Sequence, residues 1–334
     1  MSTATGGPPR ALLHPRHWPS WLAIGLLSAG LLLPRGLRDR LAAAAGELRY
    51  RRNAKARGTV ALNLARAFPE RSEAEREALA REHFRAYARA IADQPIAWWD
   101  RRLRAVERHC EVTGLGHIHA AQAAGRPFIL LIPHVTGVDF AGMALAPHAE
   151  LTTMANRLRD PVLQWVVNRA RARHGPVWLR EGGIRPVVRA LRQGTSFYYM
   201  PDEDQGLRDA VFAPFFGVEK ATLTALGRLA QLAGAQVLPT MVCYDPARRR
   251  YAVEVRAPLA GFPTGDARAD ATTMNRALEE SIRRCPAQYL LEPAHVPPSP
   301  GRQPPGVSAA GALSARQGAP CPAGAAPPRR RKRW

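Results

Sequence analysis

The sequence predicts an α/β fold in which a mixed central sheet is flanked by helices, with a membrane-associated N-terminal helix and a disordered C-terminal tail. Three patterns carry that prediction. From about residue 110, short apolar runs alternate with segments of helical period, as strands and their covering helices do. The stretch 18–34 holds no charged residue, and beyond His295 the chain is mostly Pro, Gly, Ala and Ser closed by Arg-Arg-Arg-Lys-Arg-Trp.

Residues 1–17 read as a flexible basic arm and 18–58 as a membrane anchor with a basic juxtamembrane helix. The core run Trp21–Leu33 is shorter than the roughly 20 residues that an upright span needs. It spans a thin bilayer, lies in the interface, or is the buried first helix of a soluble domain. Arg35, Arg38, Asp39 and Arg40 stand between it and the small residues Ala42–Ala45, which argues against cleavage as a signal peptide. Two bases precede the run and eight follow it by residue 58, so the positive-inside rule places the remainder in the cytoplasm.

Residues 59–295 form the folded domain. Ser72 and Glu75 make a capping box ahead of a long helix with Leu79, Phe84, Tyr87 and Ile91 at helical spacing, ended at Pro95 and Trp98-Trp99. Strands are predicted at 128–132, 196–200, 237–244 and 251–255, and helices at 162–173, 184–192, 222–232 and 272–284. Residues 296–334 read as a disordered tail.

With 334 residues and 46% apolar content, the chain can bury a proper core, and disorder throughout is excluded. The net charge of +21 is concentrated in the flanks: residues 1–58 hold ten bases and two acids, and 296–334 seven bases and no acid. Such flanks suit an anionic membrane surface or a nucleic acid, and composition does not choose between them. Four cysteines without metal-like spacing argue against a disulfide framework and a thiolate site. His109, Cys110, His117 and His119 lack a carboxylate partner, so no metal and no cofactor is expected.

Three segments could carry chemistry. Pro133-His134-Val-Thr-Gly-Val-Asp139 follows a strand directly. If Thr136 caps the next helix, Asp139 in its first turns can fold back on His134, giving an imidazole base steered by a carboxylate. The bland reading is a loop histidine near a capping aspartate. Asp202-Glu-Asp204, again at a strand end, is either a solvated turn or part of a ligand crevice. Arg169 and Arg171, after Arg157, lie on a helix whose faces are either solvated or turned to a phosphate or oxyanion. Phe212, Phe215 and Phe216 suit the wall of an alkyl groove or ordinary core.

Taken in order, Asn63-Leu-Ala-Arg-Ala-Phe-Pro-Glu70, the His-x4-Asp corner, Asn168-Arg-Ala-Arg171, Pro201-Asp-Glu-Asp-Gln-Gly206, Phe212-Ala-Pro-Phe-Phe-Gly217, Ala221-Thr-Leu-Thr224 and Pro286-Ala-Gln-Tyr289 resemble the late acyltransferases of lipid A biosynthesis. These are membrane-bound lauroyl and myristoyl transferases of Gram-negative bacteria, and the likeness runs from about residue 58 to 292. The Pro-Glu-Gly signature of glycerolipid acyltransferases is absent. The resemblance implies a glycerol-3-phosphate-acyltransferase-like fold, an acyl-carrier-protein thioester donor and a phosphorylated glycolipid acceptor at the anionic inner membrane, with the catalytic domain facing the cytoplasm. It makes His134 the general base, Asp139 its partner and Arg171 an aid at the reacting carbonyl or acceptor. Arg157, Arg169, Asp202, Asp204, Phe212, Phe215, Phe216 and Thr222 become substrate-binding residues. The chain departs from the family at Leu290-Leu-Glu-Pro-Ala-His295, where a Trp-x-His-x-Arg-Phe run is usual.

The sequence therefore predicts an O-acyltransferase moving a fatty acyl group to a hydroxyl of the 3-hydroxyacyl chains of a lipid A precursor. The alternatives are a relative acting on another glycolipid or a polyene-type acceptor, and a catalytically impaired relative. No nucleic-acid-binding motif is present.

Overall fold

The computed structural model describes residues 7–100, 104–179, 183–203 and 209–290. Four helices come first: α1 Trp18–Ala29, α2 Arg35–Arg52, α3 Ala54–Ala67 and α4 Glu73–Trp99. The sheet-forming part runs α5 Arg104–His109, β1 Cys110–Thr113, α6 Leu115–Ala123, β2 Phe128–Leu131, α7 Val138–Leu145, β3 Leu151–Ala155, α8 Pro161–Arg171 and β4 Val177–Leu179. It continues with α9 Arg185–Arg192, β5 Ser196–Tyr199, β6 Ala210–Phe215, β7 Val218–Leu223, α10 Ala225–Ala233, β8 Gln236–Asp245, β9 Arg250–Val255 and α11 Ala267–Arg284.

Seven strands pair in the order β1-β9-β8-β2-β5-β3-β4. All neighbours are parallel except β8 and β9, which form an antiparallel hairpin. This is the mixed sheet that the alternation predicts. β2 and β5 are buried along their whole length, as strands covered by helices on both faces must be.

Helix α4 starts at the expected capping box, with the Ser72 N–H donating to Glu75 at 2.8 Å and the Glu75 N–H to Ser72 Oγ at 3.3 Å. It does not stop at Pro95 but runs on to Trp99. A proline removes one ladder bond, yet Ile96, Ala97 and Trp98 are buried beyond it, and their packing holds the last turn. Residues 210–223 also differ from expectation. They form a β6–β7 hairpin turned at Phe216 (φ 49) and Gly217 (φ 73), two positive-φ positions as a type I′ turn requires. The helix predicted from 222 accordingly begins at Ala225.

At the N-terminus, residues 10–13 and 15–17 form 3-10 turns ahead of α1. Among the described residues no helix is long and apolar enough to cross a membrane. Helix α1 instead lies on α8: Ser20 Oγ donates to Asp160 at 2.5 Å, Trp21 meets Trp165 edge-on at 5.9 Å, and Ile24 is buried with Trp98, Val162 and Val166. Helix α2 is fixed to α4 by charge, Asp93 accepting from Arg35 at 2.8 Å and pairing with Arg38 at 3.1 Å.

A disulfide joins Cys243 of β8 to Cys285 at the end of α11, where the sequence led us to expect free thiols. A separation of 42 residues carries no signal of pairing. The two meet because α11 packs on β8. The tail expected at 296–334 lies outside the described residues.

Candidate active site

The central strands β2 and β5 run side by side with Leu131 opposite Tyr199. Each then meets a proline, Pro133 or Pro201, and leaves the sheet at its carboxyl end, where open α/β sheets bind ligands. His134 and Asp202 stand at the same offset beyond the paired residues, so parallel register alone brings them together. Asp202 Oδ1 is 2.6 Å from His134 Nδ1, and Asp202 Oδ2 accepts the His134 backbone N–H at 2.9 Å.

Asp202 is fully buried, which by itself disfavours its charge. The charge of His134, the hydrogen bonds from its ring and backbone, and the Lys220 ammonium outweigh burial and hold the carboxyl well below the ordinary range. Lys220, buried in β7, donates to the Asp202 backbone carbonyl and lies over the Phe215 ring. An ionised carboxylate only accepts hydrogen bonds, so Nδ1 carries the ring proton, and in the neutral imidazole the lone pair is on Nε2. Glu203 approaches Nε2 to 3.5 Å.

Asp139, expected to steer His134, does not hold that place. The segment after α11 straps residues 134–136 down ahead of a turn at Thr136 and Gly137: Val135 bridges Tyr289, the Thr136 N–H donates to the Gln288 carbonyl, and the Leu290 N–H donates to the His134 carbonyl, both at 2.9 Å. Gly137, not Thr136, is therefore the N-cap of α7. Asp139 in its first turn accepts instead from Arg171 Nε at 2.8 Å. The Asp139 charge, reinforced by this hydrogen bond, overcomes burial and raises the Arg171 pKa. Nearby Tyr198 donates to the Val138 carbonyl at 2.8 Å, and burial with the Asp139 charge pushes its phenol far above the usual range.

The Asp139–Arg171 pair stands in the wall of an apolar pocket between α4, α7, α8 and the sheet. Val138, Gly142, Met143, Met154, Val167 and Met200 line it. Of the two readings left open for the phenylalanines, alkyl wall or ordinary core, Phe215 and Phe216 take the second, packed with each other and, for Phe216, with Phe68. Phe212 is exposed on the hairpin.

Of the other expected binding residues, Thr222 is buried and spends its hydroxyl on Lys220 and Asn275. Arg169 lies over the Trp165 ring at 5.1 Å, and Arg157 is exposed. Asp204 lies outside the described residues. The sequence reading gave no role to Lys220 or to the 286–290 strap, although Pro286-Ala-Gln-Tyr289 stood out as a block. Gln288 holds that strap by bonding both the Tyr244 N–H and carbonyl at 2.7 Å, and His83 contacts the Ala287 carbonyl at 3.0 Å.

A half-buried histidine held by a buried carboxylate at the ends of two central strands, beside an apolar pocket with an ion-paired arginine, is an arrangement within an α/β fold that can carry general-base chemistry. Comparison with known sequences makes this specific. The chain belongs to the bacterial lipid A biosynthesis acyltransferases, whose family profile matches residues 8–291, and it is an acyltransferase. It is 33% identical to a lipid A biosynthesis myristoyltransferase of Escherichia coli K12 over 84% of this chain and 87% of the relative. It is 31% identical to a lauroyltransferase and 30% identical to a palmitoleoyltransferase of lipid A biosynthesis from the same organism, each over 84% of this chain and 92% of the relative.

Proposed function

We propose that this acyltransferase moves a fatty acyl group from an acyl-carrier-protein thioester to a hydroxyl on a 3-hydroxyacyl chain of a phosphorylated lipid A precursor. It works at the inner membrane with its catalytic face toward the cytoplasm, on a glycerol-3-phosphate-acyltransferase-like fold. The observation that carries the reading is the 2.6 Å contact of Asp202 with His134 Nδ1, which leaves Nε2 as the basic atom.

His134 Nε2 takes the acceptor's hydroxyl proton as the oxygen attacks the thioester carbonyl. The ionised Asp202 stabilises the imidazolium that results. Collapse of the tetrahedral intermediate breaks the carbon–sulfur bond, and the departing thiolate takes the proton from Nε2. The ester, the free carrier thiol and neutral His134 are restored together. Arg171, anchored through Nε by Asp139, offers its outer nitrogens to the developing oxyanion or to an acceptor phosphate. The apolar pocket shelters the acyl chain, whose exposure would cost about 0.8 kcal/mol per methylene.

The likeness to myristoyl-, lauroyl- and palmitoleoyltransferases of lipid A biosynthesis supports the donor and acceptor classes. The test is mass spectrometry of a tetra-acylated lipid A precursor incubated with purified full-length protein and a panel of acyl-carrier-protein thioesters. An added acyl chain, lost in His134→Ala, is expected. Failure with every donor overturns the proposal.

A further inference from the structure

The charges around His134 are unbalanced in the state that the reaction must pass through. Lys220 is buried in β7 and donates to the Asp202 backbone carbonyl, and together with His134 it holds the Asp202 carboxyl ionised against burial. While the imidazole is neutral, Asp202 and Lys220 cancel one another. A proton arriving on Nε2 therefore adds one net positive charge to a group in which the His134 side chain is only 17% exposed, and a charge largely withdrawn from water needs a partner of opposite sign.

The titratable groups on the neighbouring elements do not supply it. Tyr289 on the strap is buried, and burial followed by the charges of Asp202 and Glu203 pushes its phenol far above the usual range, so it stays neutral. Asp139 on α7 and Arg171 on α8 cancel as an ion pair at 2.8 Å. His83 on α4 is turned to the Ala287 carbonyl at 3.0 Å. Glu203 is placed differently. The chain bends at this residue, and consecutive carboxylates reach the two nitrogens of one ring, Asp202 at Nδ1 (2.6 Å) and Glu203 Oε1 at Nε2 (3.5 Å). The sequence reading gave roles to Asp202 and Asp204 and none to the glutamate between them.

From this arrangement we infer that Glu203 acts through His134 as its second carboxylate, stabilising the imidazolium that forms when the acceptor's hydroxyl is deprotonated, on the side of the ring that Asp202 does not reach. With a neutral ring, a lone pair on Nε2 faces a carboxylate oxygen and no proton lies between them, so the contact gives nothing. Once Nε2 is protonated the same contact is an ion pair. An interaction present in the charged state and missing in the neutral one lowers the barrier without stabilising the resting enzyme. Glu203 takes no proton itself; the proton still passes from Nε2 to the departing thiolate. The inference rests on the proposed general-base role of His134 and adds to it the group that balances its charge.

The test is an NMR titration of the His134 ring in full-length protein carrying carbon-13 at histidine Cε1, with the signal assigned by its loss in His134→Gln. An anion at the distance of Glu203 is worth about tenfold in the protonation equilibrium even at the dielectric of water, so Glu203→Gln should lower the His134 midpoint by about one pH unit. Glu203→Asp should recover part of that shift. Thermal melting of Glu203→Gln should match wild type, because the side chain is 31% exposed and the exchange preserves its shape. In steady-state assays with an acyl-carrier-protein thioester, kcat should fall about tenfold at unchanged KM, and the acid limb of kcat/KM should move down with the NMR midpoint. An unmoved midpoint, or a kcat that rises because the carboxylate had obstructed Nε2, overturns the inference. A midpoint that shifts as expected in a protein that transfers no acyl group from any donor would count against the proposed reaction and leave the pairing of Glu203 with His134 standing.

Discussion

Asp202 takes two hydrogen bonds from one residue, His134, at the ring Nδ1 (2.6 Å) and at the backbone N–H (2.9 Å). The carboxylate therefore fixes both the position of the imidazole and its tautomer, and Asp139 serves Arg171 instead. Asp202→Asn should lower kcat by on the order of 10²–10⁴, the range of a general base deprived of its correct tautomer. Asp139→Asn should act mainly through Arg171 and so through KM. Steady-state kinetics of the two variants checks this, and a larger kcat loss in Asp139→Asn would reverse the assignment.

The same contact makes a prediction about acid. The Asp202 carboxyl is depressed in the folded protein, whereas in the unfolded chain it titrates near about 3.9. Below that pH the unfolded state takes up a proton that the native state refuses, so stability falls as pH falls. Its contribution is fully present above about pH 4 and is lost on acidification toward the folded value. Asp202→Asn should flatten the acid side of a plot of unfolding free energy against pH. An unchanged slope would mean that the carboxyl is not depressed.

Gln288 bonds the Tyr244 N–H and carbonyl with its two amide ends, both at 2.7 Å. Gln288→Leu orphans two buried backbone groups at about 1–3 kcal/mol each, so a loss of about 2–6 kcal/mol is expected. Because Gln288 and Leu290 also bond the main chain of Thr136 and His134, kcat should fall with stability. Urea unfolding with an unchanged slope and a lower midpoint would show the effect. A midpoint equal to that of wild type would leave the strap without the role assigned to it.

The sheet was readable because β2, β5, β8 and β9 are apolar or alternating runs bounded by breakers, and β2 and β5 tolerate no polar contact with water. The partner of His134 was not readable, although its signal was present: two apolar runs each followed by proline and then a histidine or an aspartate. Only strand order turns that repeat into a contact, and β2 and β5 are 68 residues apart at the meeting point. The phenylalanines of the β6–β7 hairpin stayed undecided between groove and core for a related reason. Composition marks them as apolar, but the positive-φ turn at Phe216-Gly217 decides that two of them face the core.

Gly142 offers a direct test of the pocket. It lies on α7 in the pocket wall, and a Cβ built there meets nothing within 4 Å. Its backbone is helical, so a larger residue relieves the poor helix propensity of glycine, by up to about 1 kcal/mol, while projecting into the cavity. Gly142→Phe should therefore fold normally and displace the end of a bound acyl chain. Expelling about four methylenes at about 0.8 kcal/mol each costs about 3 kcal/mol, a shift on the order of a hundredfold in selectivity toward shorter donors. The check is the ratio of kcat/KM for long and short acyl-carrier-protein thioesters in wild type and variant. A preserved ratio in a variant with wild-type melting would show that the chain is bound elsewhere, and the pocket beside Asp139 and Arg171 would lose its place in the reaction.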